Sequence, residues 1–198
     1  KYNILALISN SKYRVGFSGG KFNFNHLSYT LNPIIHKAES NYQIWKRAIR
    51  KFDMDVILDD DVNMPEYTGN KFFDDFDKNL VSIAPGSGIL EKHKRWPVEK
   101  YIELTNKLTS QDIHVAILGG DIEKELADDI MKSAIDKDKI HNFVSKLSIK
   151  DTISVLHSSN VLVANCNGVS HMASLIKNIS IIGIYGPTNY RITGPYTE

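Results

Sequence analysis

The sequence has one cysteine, Cys166, in 198 residues, which excludes an intrachain disulfide and a cysteine-built zinc cluster. Its seven histidines show no zinc-ligand spacing. The longest apolar runs, such as residues 179–185, fall far short of the ~18 to 20 residues that span a bilayer. Charge of one sign is also missing: 24 lysines and arginines against 23 acids leave a net charge of +1. No global field therefore favours a polyanion such as nucleic acid, and any anion has to be bound by local groups. There is no Walker loop, and Gly86-Ser87-Gly88 is followed by Glu91 where the dinucleotide fingerprint has glycine. Internal repeats and low-complexity tracts are absent too, and residues 1–8 read as a strand of an ordinary domain rather than as a signal peptide. The chain opens at Lys1 without an initiator methionine and closes in a turn-rich stretch, so it reads as cut from something longer at both ends. The single cysteine fits a reducing cytoplasm better than a secreted scaffold.

What is present is a regular alternation of short apolar runs and amphipathic segments. At 42% apolar composition the chain can bury one sizeable core or two small ones. Residues 80–84 read as a strand ending at Pro85-Gly86, and Pro97 opens a helix carrying Val98, Tyr101, Ile102, Thr105 and Leu108 at helical spacing. Residues 113–118 form a second strand, with Asp121 expected to cap a helix that buries Ile122, Leu126, Ile130 and Ala134. Ser148 and Asp151 have capping-box form ahead of Ile153 and Leu156. A strand at 161–164, a helix opened by Asn167-Gly168 with Val169, Met172, Ala173 and Ile176 on one face, and a strand at 179–185 complete the series. Such alternation predicts an α/β fold with a parallel sheet covered on both faces. Upstream, residues 4–8, 13–17 and 56–58 read as strands and 42–52 as a helix, with a connection over 60–79.

In an open parallel sheet ligands sit beyond the carboxyl ends of the strands. Three loops there stand out: Pro85-Gly86-Ser87-Gly88 running on to Lys92-His93-Lys94-Arg95-Trp96-Pro97; Asn165-Cys166-Asn167-Gly168-Val169-Ser170-His171; and Gly186-Pro187-Thr188. Lys94-Arg95-Trp96-Pro97 with Glu99, then Leu118-Gly119-Gly120, then Gly168 with His171-Met172-Ala173, then Gly186-Pro187-Thr188, follow the order and spacing of one family. From about residue 80 onward the sequence resembles the ADP-heptose:lipopolysaccharide heptosyltransferases, and Arg14-Val15-Gly16-Phe17 resembles a segment of their acceptor domain.

The resemblance implies a GT-B architecture of two facing α/β domains, the C-terminal one Rossmann-like. Residues 1–75 would be part of the acceptor-side domain and a linker, and 76–198 the nucleotide-sugar domain, incomplete at its end. It implies a donor site of Ser87, Lys94, Glu123, Cys166, Asn167, Gly168, Val169, Ser170, His171 and Thr188. Lys94 is the catalytic candidate, contacting donor phosphate and stabilising charge on the leaving nucleoside diphosphate. Gly168, Val169 and Ser170, at a helix N-terminus, would cradle the diphosphate, and Glu123 would meet the ribose. The partners implied are an ADP-sugar donor and a lipopolysaccharide or lipooligosaccharide core acceptor, at the cytoplasmic side of the inner membrane. No cofactor is called for; a divalent metal is compatible with the chemistry but indicated by no residue cluster, Asp59-Asp60-Asp61 reading as a solvated acidic loop.

The residues keep blander readings open. Lys94 and Arg95 can be solvated charges, and Trp96-Pro97 an anchor and helix start. Glu123 can be a first-turn acid complementing the helix dipole, His171 a buried structural histidine, and Gly186-Pro187-Thr188 a simple turn. The sequence also departs from the family's pattern at Cys166, where an aspartate is usual, and the stretch that would hold the general base is absent. These departures leave a second reading, a non-catalytic or altered-specificity nucleotide-binding relative.

Overall fold

The computed structural model describes residues 79–195 and the backbone of two short strands, β1 (Val15–Phe17) and β2 (Tyr29–Leu31). These two pair in parallel with Gly16 opposite Thr30. They fall in one compact unit, Lys1–Leu58, and everything that follows falls in a second, Asp59–Glu198. The remaining upstream expectations, the strands at 4–8 and 56–58, the helix at 42–52, the acidic triplet and the connection after it, lie outside the described residues.

In the second unit the apolar run at residue 80 becomes β3 (Leu80–Ala84), buried along its whole length. Side chains alternate across a strand, and the core divides accordingly. Val81 and Ile83 join Val115, Ile117 and Val163 on one face, against Tyr101 of α1 (Val98–Thr109) and Ala127 and Ile130 of α2 (Lys124–Lys132). Leu80 and Ala84 join Ala116, Leu118, Leu162 and Ala164 on the other, against Val155 and Leu156 of α3 (Ile149–His157) and Ala173 of α4 (Gly168–Ala173). The remaining strands are β4 (His114–Ile117), β5 (Ile140–Asn142), β6 (Val161–Asn165) and β7 (Ser180–Ile184), and a one-turn helix, α5 (Tyr190–Thr193), follows. All five strands are parallel, in the order β5-β4-β3-β6-β7. The chain thus winds outward from β3 through β4 to β5, then returns to lay β6 on the opposite side of β3. The winding direction reverses between β3 and β6, and that reversal opens a crevice at their carboxyl ends.

Several local expectations are met by name. Ser148 and Asp151 form the capping box, with the Asp151 amide donating to Ser148 Oγ at 3.2 Å and the Ser148 amide to Asp151 Oδ2 at 3.3 Å. Trp96 is an anchor, its ring edge-on to Tyr101 at 5.1 Å. Others change. Asp121 is not a cap: residues Asp121–Glu123 make a 3₁₀ turn begun by Gly120, and α2 starts only at Lys124. The buried face of that helix is accordingly Ala127 and Ile130, while Ile122 is exposed.

Candidate functional site

The loops leaving β3, β4 and β6 enclose a cleft of about 520 Å³ at the winding reversal, within the ~300–1,000 Å³ range of small-molecule sites. Gly86, Ser87, Gly88 and Glu91 form the wall from β3; Gly119, Gly120, Ile122 and Glu123 the wall from β4; Cys166, Asn167, Gly168 and Val169 the wall from β6. Leu147, Ile149 and Thr152, leading into and along α3, close an apolar end with Met172. Two asparagines hold these walls in place. Asn165, at the end of β6 and 1% exposed, accepts from the Trp96 amide at 3.0 Å and donates to Pro85 O at 2.6 Å. Asn167 donates to Ala84 O at 3.1 Å and Gly86 O at 3.0 Å, while its Oδ1 accepts from the Val169 and Ser170 amides at 3.0 and 3.2 Å.

That last pair bears on the expected anion cradle. The Val169 and Ser170 amides are already satisfied by Asn167, and Ser170 itself is buried with its hydroxyl donating to Asn167 O at 2.7 Å. Asn167 and Ser170 build the turn here, and Gly168 is left as its open face, with nothing within 4 Å of where a Cβ would stand.

Between the β3 and β4 walls sits Glu123, buried. Its Oε2 accepts from the Gly120 amide at 2.8 Å. A Cβ on Gly86 would stand 2.2 Å from its Oε1 and one on Gly119 2.9 Å from its own Cβ, so both glycines are required for the carboxylate to lie there. Arg95 approaches from the other side, Nη2 at 4.0 Å from Glu123 Oε1. It also donates from Nε to Ser87 Oγ at 3.0 Å, and the Ser87 hydroxyl in turn donates to Glu91 O at 2.9 Å. Ser87 is therefore fully engaged in shaping its own loop. Lys94, in the 3₁₀ turn Lys92–Lys94, pairs with Glu91, itself a wall residue.

The glycosyltransferase family 9 (heptosyltransferase) model matches residues 6–198. The chain belongs to this family. It is 23% identical over 124 residues to lipooligosaccharide heptosyltransferase 2 of Haemophilus influenzae, a match covering 62% of this chain and 35% of that protein. With lipopolysaccharide heptosyltransferase 2 of Escherichia coli it shares 23% identity over 134 residues, 67% of this chain and 38% of the relative. Among solved structures, E. coli ADP-heptose lipopolysaccharide heptosyltransferase II superposes with a TM-score of 0.58 at 21% identity, covering 62% of this chain and 37% of that one. An E. coli heptosyltransferase with ADP gives 0.54 at 22% identity, covering 61% and 36%. The fold expected from the sequence, the parallel α/β domain of the GT-B heptosyltransferases, is the one found.

In this family 9 chain the cleft takes in Ser87, Glu123, Cys166, Asn167, Gly168 and Val169 of the expected residues. Lys94 reaches its edge through Glu91. His171 is exposed and outside the cleft, so it is neither the buried structural histidine nor a wall residue. Thr188 is half-buried, its hydroxyl without a hydrogen-bond partner among the described residues. Cys166 is half-buried and turned to α5, its Sγ at 3.7 Å from Thr193 O and 3.6 Å from Thr193 Oγ1. Burial, and secondarily the negative charge Cys166 can carry, hold the Tyr185 phenol above its ordinary pKa. Sequence reasoning missed Asn165 and Arg95. Asn165 was visible as a polar residue ending an apolar strand, which is a signal of a buried, fully bonded amide.

Proposed function

We propose that the protein is a glycosyltransferase that moves a heptose-like sugar from a nucleoside-diphosphate sugar, preferentially an ADP-sugar, to a lipopolysaccharide or lipooligosaccharide core saccharide. The observation that carries this reading is the cleft of three glycine-bearing loops at the winding reversal, in a chain of this family. The name of one structural relative includes ADP-heptose and another was solved with ADP. The apolar end at Leu147, Ile149 and Met172 suits a nucleobase, and Glu123 stands where its Oε1, beside the Arg95 guanidinium, can accept from ribose hydroxyls. The diphosphate then runs along the glycines at 86 and 88 toward Lys94, whose ammonium exchanges Glu91 for phosphate. The sugar lies toward Cys166, Gly168 and Thr188.

Transfer is a direct displacement at the anomeric carbon with inversion, the acceptor hydroxyl attacking as the nucleoside diphosphate leaves. Lys94 stabilises the charge that grows on the leaving group. The proton of the acceptor hydroxyl passes to a general base, an acidic side chain on the acceptor side of the cleft. The acceptor places the enzyme at the cytoplasmic face of the inner membrane, peripherally attached; no helix among the described residues is long and apolar enough to cross it.

Calorimetric titration with ADP, UDP and GDP tests the reading. Preference for ADP, weakened about ten-fold or more by Lys94→Ala, supports it; a folded protein that takes no nucleotide removes it. Cys166, in place of the usual aspartate, favours one other reading, a nucleotide-binding relative with altered or lost chemistry. Turnover by the intact protein excludes the loss of chemistry, and binding without turnover across a panel of core acceptors supports it.

A further inference from the structure

We propose that Arg95 is a positioning residue that sets the donor site by tying the β3 wall to the β4 wall and by compensating Glu123; this rests on the nucleotide-binding reading of the cleft. Arg95 does not line the cleft, so it acts on a ligand through other groups. Its side chain is only 14% exposed, and it makes contacts on two loops. Toward the β3 wall, Nε donates to Ser87 Oγ at 3.0 Å and Nη2 reaches Ser87 O at 3.4 Å. Toward the β4 wall, the same Nη2 lies 4.0 Å from Glu123 Oε1. A guanidinium has donors spread over a rigid plane and can serve both directions, which a single ammonium nitrogen does less well.

The electrostatic half of the argument follows from what else is charged nearby. Two carboxylates line the cleft, Glu91 and Glu123. Before a donor binds Lys94 pairs with Glu91, and Arg95 is the cation beside Glu123. With Arg95 removed, Glu123 is a nearly buried carboxylate left with one amide donor, a costly arrangement. It either swings into the cleft or presents an uncompensated negative charge to an incoming diphosphate. Either outcome weakens donor binding, although Arg95 itself never touches the donor.

The test is ADP calorimetry on the intact protein with Arg95→Met, Arg95→Lys, Glu123→Gln and the double variant Arg95→Met/Glu123→Gln. Arg95→Met is expected to weaken ADP by about ten-fold or more, with Arg95→Lys between it and the wild type. Glutamine keeps the shape of Glu123, accepts from the Gly120 amide through its oxygen and can donate to a ribose hydroxyl oxygen through its amide nitrogen while removing the charge, so the double variant is expected to bind ADP more tightly than Arg95→Met alone. A generic loss of packing would not be relieved by a second substitution. Wild-type affinity in Arg95→Met, or a double variant no tighter than Arg95→Met, overturns the proposal and leaves the nucleotide site standing. If Arg95→Met does not fold, Arg95→Gln against Arg95→Gln/Glu123→Gln makes the same comparison with the same two outcomes. A wild-type protein that binds no nucleoside diphosphate removes the site reading and this inference with it.

Discussion

Tyr101 packs its ring against Trp96 and Thr105 follows one turn later, yet the hydroxyl of each is buried without a hydrogen-bond partner among the described residues. Burial raises the pKa of the Tyr101 phenol, so the group stays neutral, but a neutral hydroxyl still loses its water. Tyr101→Phe removes that cost and keeps the ring, so urea denaturation is expected to show unchanged stability or a gain of up to about 1 kcal/mol; a clear loss would mean the hydroxyl has a partner. Glu123 illustrates the opposite case, a buried acid with its neighbours arranged for it. In the sequence it was a first-turn acid, either surface or ribose ligand. Nothing local to residue 123 reveals that Gly86, on another strand's loop, vacates the space its carboxylate fills. Arg95 was obscured for the same reason, since a charge run of Lys92 to Arg95 reads as solvated until Ser87 and Glu123 are brought beside it.

Along one side of the sheet, β4 and β5 are joined by more than their backbone ladder: His114 Nδ1 lies 3.1 Å from His141 Nε2, the rings stack at 5.3 Å, and Phe143 stacks on His141 in turn. Burial, and then the charge His114 can carry, lower the His141 pKa below its ordinary 6.5. A histidine held neutral in the fold takes up more protons when unfolded. Its contribution is therefore whole above the unfolded value and is lost as pH falls through the lower folded value. Between about pH 7 and about pH 5 the denaturation midpoint is expected to fall, and to fall less in His141→Gln; equal slopes would dismiss the histidine as the cause. This pair sits on elements of unequal legibility. The strand at β4 was plain from its apolar run, whereas β5 (Ile140–Asn142) offers one buried apolar side chain, Ile140, followed by two polar ones, too little period to read. The cap of α3 was legible because Ser148 and Asp151 are three residues apart and need nothing distant. The start of α2 was not, because Glu123 is drawn back to the Gly120 amide and the chain spends Asp121–Glu123 in a tighter turn first.

At the scale of the whole molecule, alternation of strands and helices was enough to anticipate a parallel sheet, but not the order of its strands. That order depends on which side of β3 the chain returns to, a choice made by two cores that assemble from residues far apart in sequence. The matches to curated relatives cover 35% and 38% of their lengths, while the cleft is formed entirely within the second unit. One feature of that cleft gives the chain a built-in reporter. Its 198 residues contain one sulfhydryl, that of Cys166, a residue of the cleft wall whose half-buried side chain turns to Thr193. A thiol-specific reagent consequently meets one reactive atom, and its rate constant is expected to drop about several-fold when an ADP-sugar is present at saturation, with no drop if the donor's sugar sits elsewhere. Occupancy becomes a matter of timing a colour change, with no dye or tag attached to the polypeptide.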